Sequence, residues 1–450
     1  MLEPLDSTAW GPEMAAHLIN RAGFGGSPRD IAALHRLGLK GAVDALLGAD
    51  EDSDLFPPPE GLVPRDLAEL KKRTAAASPE EKKKFQAQMA RENRETMAEL
   101  RLWWLSRMRW SPFAAREKAT LFWHGHWATS IEKVKEPFAM WQQNETLRAF
   151  SLGRFEEMAR AMSRDPAMMR YLDLTQSKAG KPNENFAREL MELFTLGEGH
   201  YTEEDIQQSA RAFTGYRINP KSQQFLFASR QADSGPKSFF GLEGHFSGDD
   251  IIGLLCAHPQ CARFLAGKLW VYYAGTPPSA GLLEALAAEY RRSQLDTGAF
   301  LRTVFQSREF FSPDVVRRQI KGPVQWLVQL TRQMEIPLPR DADGVLRNLG
   351  QVPFAPPNVK GWDGGRSWIS SATLLERYNA AGAILARLPA DLPTLADPGG
   401  TCSGLVWRLF QSQLPADLNN KFLTYAAAHG PTARRDLAHL MMSTPDYQIT

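Results

Sequence analysis

The chain has 450 residues, and its 53 Lys and Arg against 51 Asp and Glu leave a net charge of +2, so no basic field points to nucleic acid. Hydrophobic residues make up 43% of it and include 12 Trp and 24 Phe, enough for a large core and incompatible with a mostly disordered chain. Cys256, Cys261 and Cys402 are too few for a disulfide framework or a four-Cys zinc site, and Cys256 and Cys261, five apart on two short helices, read as buried free thiols; no apolar run is long enough to span a membrane.

Helical signals dominate from the start. Ser27-Pro28 sets an N-cap before a Pro at the first helical position, and Ile31, Leu34 and Leu37 follow at helical spacing, with Gly38 as the expected stop. A short helix through Ala42, Val43, Leu46 and Leu47 comes next. The stretch 51–77 is acidic and then proline-rich (Phe56-Pro57-Pro58-Pro59) and reads as a linker between an N-terminal helical segment, 1–50, and a main helical domain, 78–450. Ser78-Pro79-Glu80-Glu81 is a capping box. It opens a helix to about 110 whose first half is solvated and whose second half, Met97, Leu100, Trp103, Trp104 and Met108, is apolar. Further helices are expected near 137–149, 153–163, 183–196, 203–215, 248–257, 259–274, 280–295, 298–307, 320–334 and 371–388. The pattern breaks at 217–246, where Gln224-Phe225-Leu226-Phe227 and Ser238-Phe239-Phe240-Gly241 predict a small β-hairpin insertion. The segment Val352 to Gly365 is too rich in Pro and Gly for a helix. The fold class is therefore mainly α: one large multi-helix body with a β-hairpin insertion.

Four constellations could carry chemistry. In Phe122-Trp123-His124-Gly125-His126-Trp127, two imidazoles lie two residues apart. On a continuous helix they diverge by about 200° and cannot share a metal. If Gly125 breaks the helix they could face one site and hold a divalent metal ion, the candidate cofactor, with Glu189 as a third ligand. The competing reading is a pair of packed core histidines. In Pro182-Asn183-Glu184-Asn185-Phe186-Ala187-Arg188-Glu189-Leu190-Met191-Glu192, α-helical spacing places Asn185, Glu189 and Glu192 on the flank of an apolar stripe. Two carboxylates three apart can chelate a cation or act as an acid–base pair. Glu189, Glu192 and Arg188 are the catalytic candidates, with Glu189 expected to be the more buried carboxylate. An Arg188–Glu192 surface pair is the bland alternative. Arg211, in the helix opened by the Thr202/Asp205 cap, could hold an anion or pair with a carboxylate of the preceding helix. Lys237, in Asp233-Ser234-Gly235-Pro236-Lys237, could cradle an anion or simply close a turn. Asn183, Asn185, Arg211, Lys237 and Trp362 complete the substrate-binding candidates for a polar or anionic small molecule or a glycan. The loop bearing Trp362 and Trp368 could cover such a site or stack on a sugar.

His17-Leu18-Ile19-Asn20-Arg21-Ala22-Gly23-Phe24-Gly25, the Phe-Trp-His-Gly-His segment, the Asn183–Leu193 helix, Arg211-Ala212-Phe213-Thr214-Gly215 and Pro357-Asn358-Val359-Lys360-Gly361-Trp362 occur in that order. In this the chain resembles the bacterial family catalogued as domain of unknown function 1800, from about residue 14 to 445. The resemblance implies a sulfatase-like protein family as a partner and frequent export of members. This chain opens on Met1-Leu2-Glu3-Pro4 with no basic and apolar leader, and as written reads as cytoplasmic. It also carries Phe194 where many members carry His. Two functions remain: a hydrolase-like enzyme with a metal or acid–base site between helices, or a scaffold whose buried polar residues fix helix register.

Overall fold

The computed structural model describes residues 2–48, 55–388, 402–429 and 433–450. Helices supply nearly all regular structure there. The β insertion is two antiparallel hairpins rather than one: Tyr216–Ile218 pairs with Phe225–Phe227, and Lys237–Phe239 with Leu242–Gly244.

The local capping signals translate directly into helix starts. Ser27 accepts from the Asp30 N–H, and the Asp30 carboxylate accepts from the Ser27 N–H, opening Pro28–Arg36. Ser78 and Glu81 do the same for Pro79–Trp110, and Thr202 and Asp205 for Glu203–Ala212. Each box satisfies N–H groups that a helix start otherwise leaves orphaned. Gly38 does not end the N-terminal run. It adopts φ +68 and begins the next helix, Gly38–Leu46. The stretch read as a linker carries a helix of its own, Leu67–Ala76, capped by Asp66; residues 51–54 of it lie outside the described residues.

The apolar residues separate into two clusters. One gathers Leu18, Ile19, Trp123, Phe155, Phe194 and Leu265. The other gathers Leu100, Trp104, Met140, Trp326, Ile384 and Tyr447. The N-terminal helix Pro12–Ala22 is buried from Ala15 to Ala22 and joins the first cluster, so the segment 1–50 shares a core with the residues beyond it.

The helix Ala114–His126 runs between the clusters, with Phe122 and Trp123 in the first and Ala114 and Leu121 in the second. It also carries a buried polar knot. Glu117, 1% exposed, accepts from Arg107 Nε at 3.0 Å, Arg148 Nε at 2.6 Å and Trp104 Nε1 at 2.8 Å. Burial pushes this carboxyl up, but the two guanidiniums outweigh it and the net shift is downward. Removing Glu117 would strip both buried guanidiniums of their shared carboxylate, a loss of about 3–5 kcal/mol.

Candidate functional site

The helix Ala114–His126 continues through Gly125. Its two imidazoles therefore leave on opposite sides, as the turn of about 100° per residue dictates. The broken-helix arrangement that would let them share a metal is not formed. His124 faces the second cluster. Its Nε2 accepts from the Phe354 N–H at 2.9 Å, and its ring lies 5.1 Å from Trp104 and 5.9 Å from Trp362. Burial alone pushes it down to about 3. This neutral imidazole anchors the Pro-rich segment.

His126 faces the first cluster and reaches the Glu-rich helix. That helix changes character midway. Glu184–Glu189 is α-helical, and Leu190–Thr195 opens into a π-turn. The wider turn closes through the Leu196 N–H to the Met191 carbonyl at 2.9 Å. Such turns are rare and concentrate at functional sites. His126 Nε2 lies 3.0 Å from the Phe194 carbonyl. A carbonyl can only accept, so Nε2 carries the proton and Nδ1 the lone pair. The residue is 4% exposed, and Nδ1 has no hydrogen-bond partner. Burial, then the Lys268 charge, pushes His126 well below its ordinary value.

A cleft of about 360 Å³ opens beside this contact. His126, Glu192 and Gly197 line it from one side, Phe264 and Lys268 from the helix Pro259–Ala274, and Val359 and Lys360 from the Pro-rich segment. Tyr201 Oη donates to Glu192 Oε2 at 3.0 Å and fixes that carboxylate. Burial, then Glu192, pushes the phenol up to about 12. Lys268 is pushed down to about 8 by burial. Its Nζ lies 5.1 Å from the Phe264 ring centre, and no carboxylate among the described residues forms an ion pair with it. Glu189 is half-buried, as Glu192 is. Burial, then Glu192, pushes the Glu189 carboxyl up, while Lys360 and Arg188 oppose the shift.

The sequence profile of the family described as "Protein of unknown function (DUF1800)" matches residues 17–449. The chain belongs to this family. No curated protein and no solved structure matches it.

In this DUF1800 chain the other sequence candidates sit apart from the cleft. Arg188 forks onto Glu203 with two contacts of 2.8 Å and approaches Glu184, so the expected pair with Glu192 is not made. Asn183 caps its helix by accepting from the Asn185 N–H and donates to the Asp173 carbonyl. Asn185 donates to the Leu172 carbonyl, and the π-turn breaks the even α spacing that would align it with Glu192. Arg211 binds Asp233 through Nε and Nη2 at 2.8 and 3.2 Å, so its carboxylate comes from the β insertion and not from the preceding helix. Lys237, 3% exposed, donates to the Asp233 and Gly235 carbonyls and closes that turn. Trp362 is half-buried against His124. Its neighbours Val359 and Lys360 reach the cleft wall. The metal set His124, His126 and Glu189 is not brought together, and among the described residues no three His, Cys, Asp or Glu converge on a cation position. Of the thiols, Cys261 and Cys402 are buried and Cys256 is half-buried.

Lys268 is the cleft residue that motif reading missed. Its only signal is a lysine inside the apolar run Phe264-Leu265-Ala266-Gly267-Lys268-Leu269-Trp270.

Proposed function

We propose that this family member is a hydrolase-like enzyme that works by side-chain acid–base chemistry in the cleft of His126, Glu192 and Lys268. One observation carries the reading: His126 Nδ1 is buried with no partner beside an unpaired Lys268. Leaving the buried imidazole nitrogen unsatisfied costs about 1–3 kcal/mol, a cost most readily retained where a ligand completes the bonding.

The roles follow from the surroundings. Glu192, oriented by Tyr201, is the general base that takes a proton from water. Neutral His126 offers Nδ1 as the acceptor that orients this water or a substrate hydroxyl. Lys268 offsets negative charge that develops on the attacked group. Glu189, whose proton affinity is raised by burial and by Glu192 and which feels the charge of Lys360 on the cleft wall, is assigned the role of general acid. Lys360 on the overlying segment suits a polar or anionic substrate, a small molecule or a glycan.

The test is turnover against a panel of ester, phosphoester, amide and glycoside substrates by the wild-type protein and Glu192→Gln. Hydrolysis of one class by the wild type, lost by roughly 10²–10⁴-fold in the variant with its unfolding midpoint unchanged, is expected. A fully active Glu192→Gln, or no turnover of any class, contradicts the proposal.

A further inference from the structure

A second cavity, of about 270 Å³, lies where the N-terminal helix meets the C-terminal segments. Its wall includes His17 and Asn20 from the His17–Gly25 motif, Arg317 and Lys321, Gln411 and Thr450. None of these residues lines the Glu192 cleft.

Lys321 is the unusual member. It is 2% exposed, and its Nζ sits 3.8 Å from the Tyr447 ring centre. No carboxylate among the described residues forms an ion pair with it. The nearest charges are the wrong sign: Arg317 and Arg377 both bear on it, and together with burial they push it well below its ordinary value. Arg317 is already committed to the Phe410 and Asp446 carbonyls and the Ser412 hydroxyl, and Glu13 accepts from the Gln413 N–H. A second polar atom is also unserved. Thr450 Oγ1 is buried without a hydrogen-bond partner.

The wall is held rigidly. Lys118 donates to Gln325, Gln325 to Gln329, Gln329 to Asn20, Asn20 to Gln411, and Gln411 to the Gly26 carbonyl. Two wall residues, Arg317 and Gln411, hold left-handed backbone at φ 55 and φ 56. Non-glycine residues in that region carry strain, which clusters at ligand clamps.

We infer that this cavity binds a small oxyanion, a carboxylate or a phosphate, held by the Lys321 ammonium and the Thr450 hydroxyl. The volume admits only a small molecule. A neutral ligand gives Lys321 no opposite charge, whereas an oxyanion favours its ammonium form against burial and the two guanidiniums and gives Thr450 an acceptor.

The experiment uses the full chain. Acetate, malonate and inorganic phosphate are titrated at constant ionic strength, with chloride as reference, and binding is read by calorimetry and by the unfolding midpoint. The wild type should bind at least one probe with a rising midpoint. Malonate and phosphate, compared directly, separate the carboxylate source from the phosphate source. Lys321→Met keeps chain length and removes the charge, so it should fold and bind roughly tenfold or more weakly. Thr450→Val gives a second readout should Lys321→Met fail to fold, and it should weaken the same probe. Absence of binding by every probe, or equal binding by the wild type and both variants, overturns the inference.

Discussion

Asp165 shows how one buried group sets a measurable sign. Its Oδ1 caps the helix Pro166–Tyr171 by accepting from the Met168 N–H and also accepts from Gln143 Nε2, each at 2.8 Å. Its Oδ2 has no partner. Burial pushes this carboxyl up to about 7, against those hydrogen bonds. A carboxyl raised on folding favours the native state most at low pH, and the contribution is lost as pH rises from its ordinary 3.8 to about 7. Asp165→Asn keeps the cap and gives the second atom a permanent hydrogen. It should raise stability by about 1–3 kcal/mol at pH 7.5 and change little at pH 4. Denaturant unfolding at the two pH values checks this, and an equal effect at both would refute it. Gly361 offers a steric counterpart. It holds φ +83, and a Cβ there would sit 2.3 Å from the Gly125 carbonyl oxygen. Gly361→Ala should cost about 2–4 kcal/mol and alter the emission of Trp362. Unchanged unfolding and fluorescence would show that the segment does not press on the His-Gly-His helix as described.

At the scale of elements, legibility followed how local the cause was. Ser27, with Pro28 at the first helical position, and the Ser78 and Thr202 caps announce their helices because each signal is complete within four residues. The two hairpins were legible as one insertion because alternation marks strands but not how many turns divide them. The π-turn at Leu190–Thr195 was not legible. It depends on Phe194 presenting its carbonyl to His126, 68 residues earlier in the chain. Asn185 and Glu192 take separate partners, the Leu172 carbonyl and the Tyr201 hydroxyl. Divergence of His124 and His126 was readable from helix geometry; which of them would face the Glu-rich helix depended on the two clusters flanking it. The helix Leu67–Ala76 was missed because its polar sequence, with no buried residue, carries little amphipathic signal.

The whole molecule carries several buried groups whose charge is disfavoured, and their linkage is additive in sign. His17, His124 and His126 are all pushed below the ordinary 6.5, each chiefly by burial. A depressed imidazole stabilises fully above 6.5, and that stability is lost as pH falls and the unfolded chain takes up the proton. Asp165 opposes one of these three uptakes between 3.8 and about 7. From these four groups, unfolding near pH 5.5 should take up about two protons, a slope of about 3 kcal/mol per pH unit. Unfolding midpoints between pH 7.5 and 5.5 should therefore fall steadily on acidification; a flat profile would mean that the imidazoles are not held neutral. Among the described residues no helix is long and apolar enough to cross a membrane.

Under the proposed function, Lys268 is kept in the cleft for chemistry at the expense of stability. Replacing it by Met removes a half-buried cation that has no ion-pair partner among the described residues and keeps the stem that packs beside Phe264. The measurement is the hydrolytic rate of Lys268→Met beside its unfolding midpoint. A rate lower by about 10²-fold or more, with a midpoint equal to or above that of the wild type, is the predicted result. An undiminished rate, or a rate lost only in step with a collapsing fold, would contradict it.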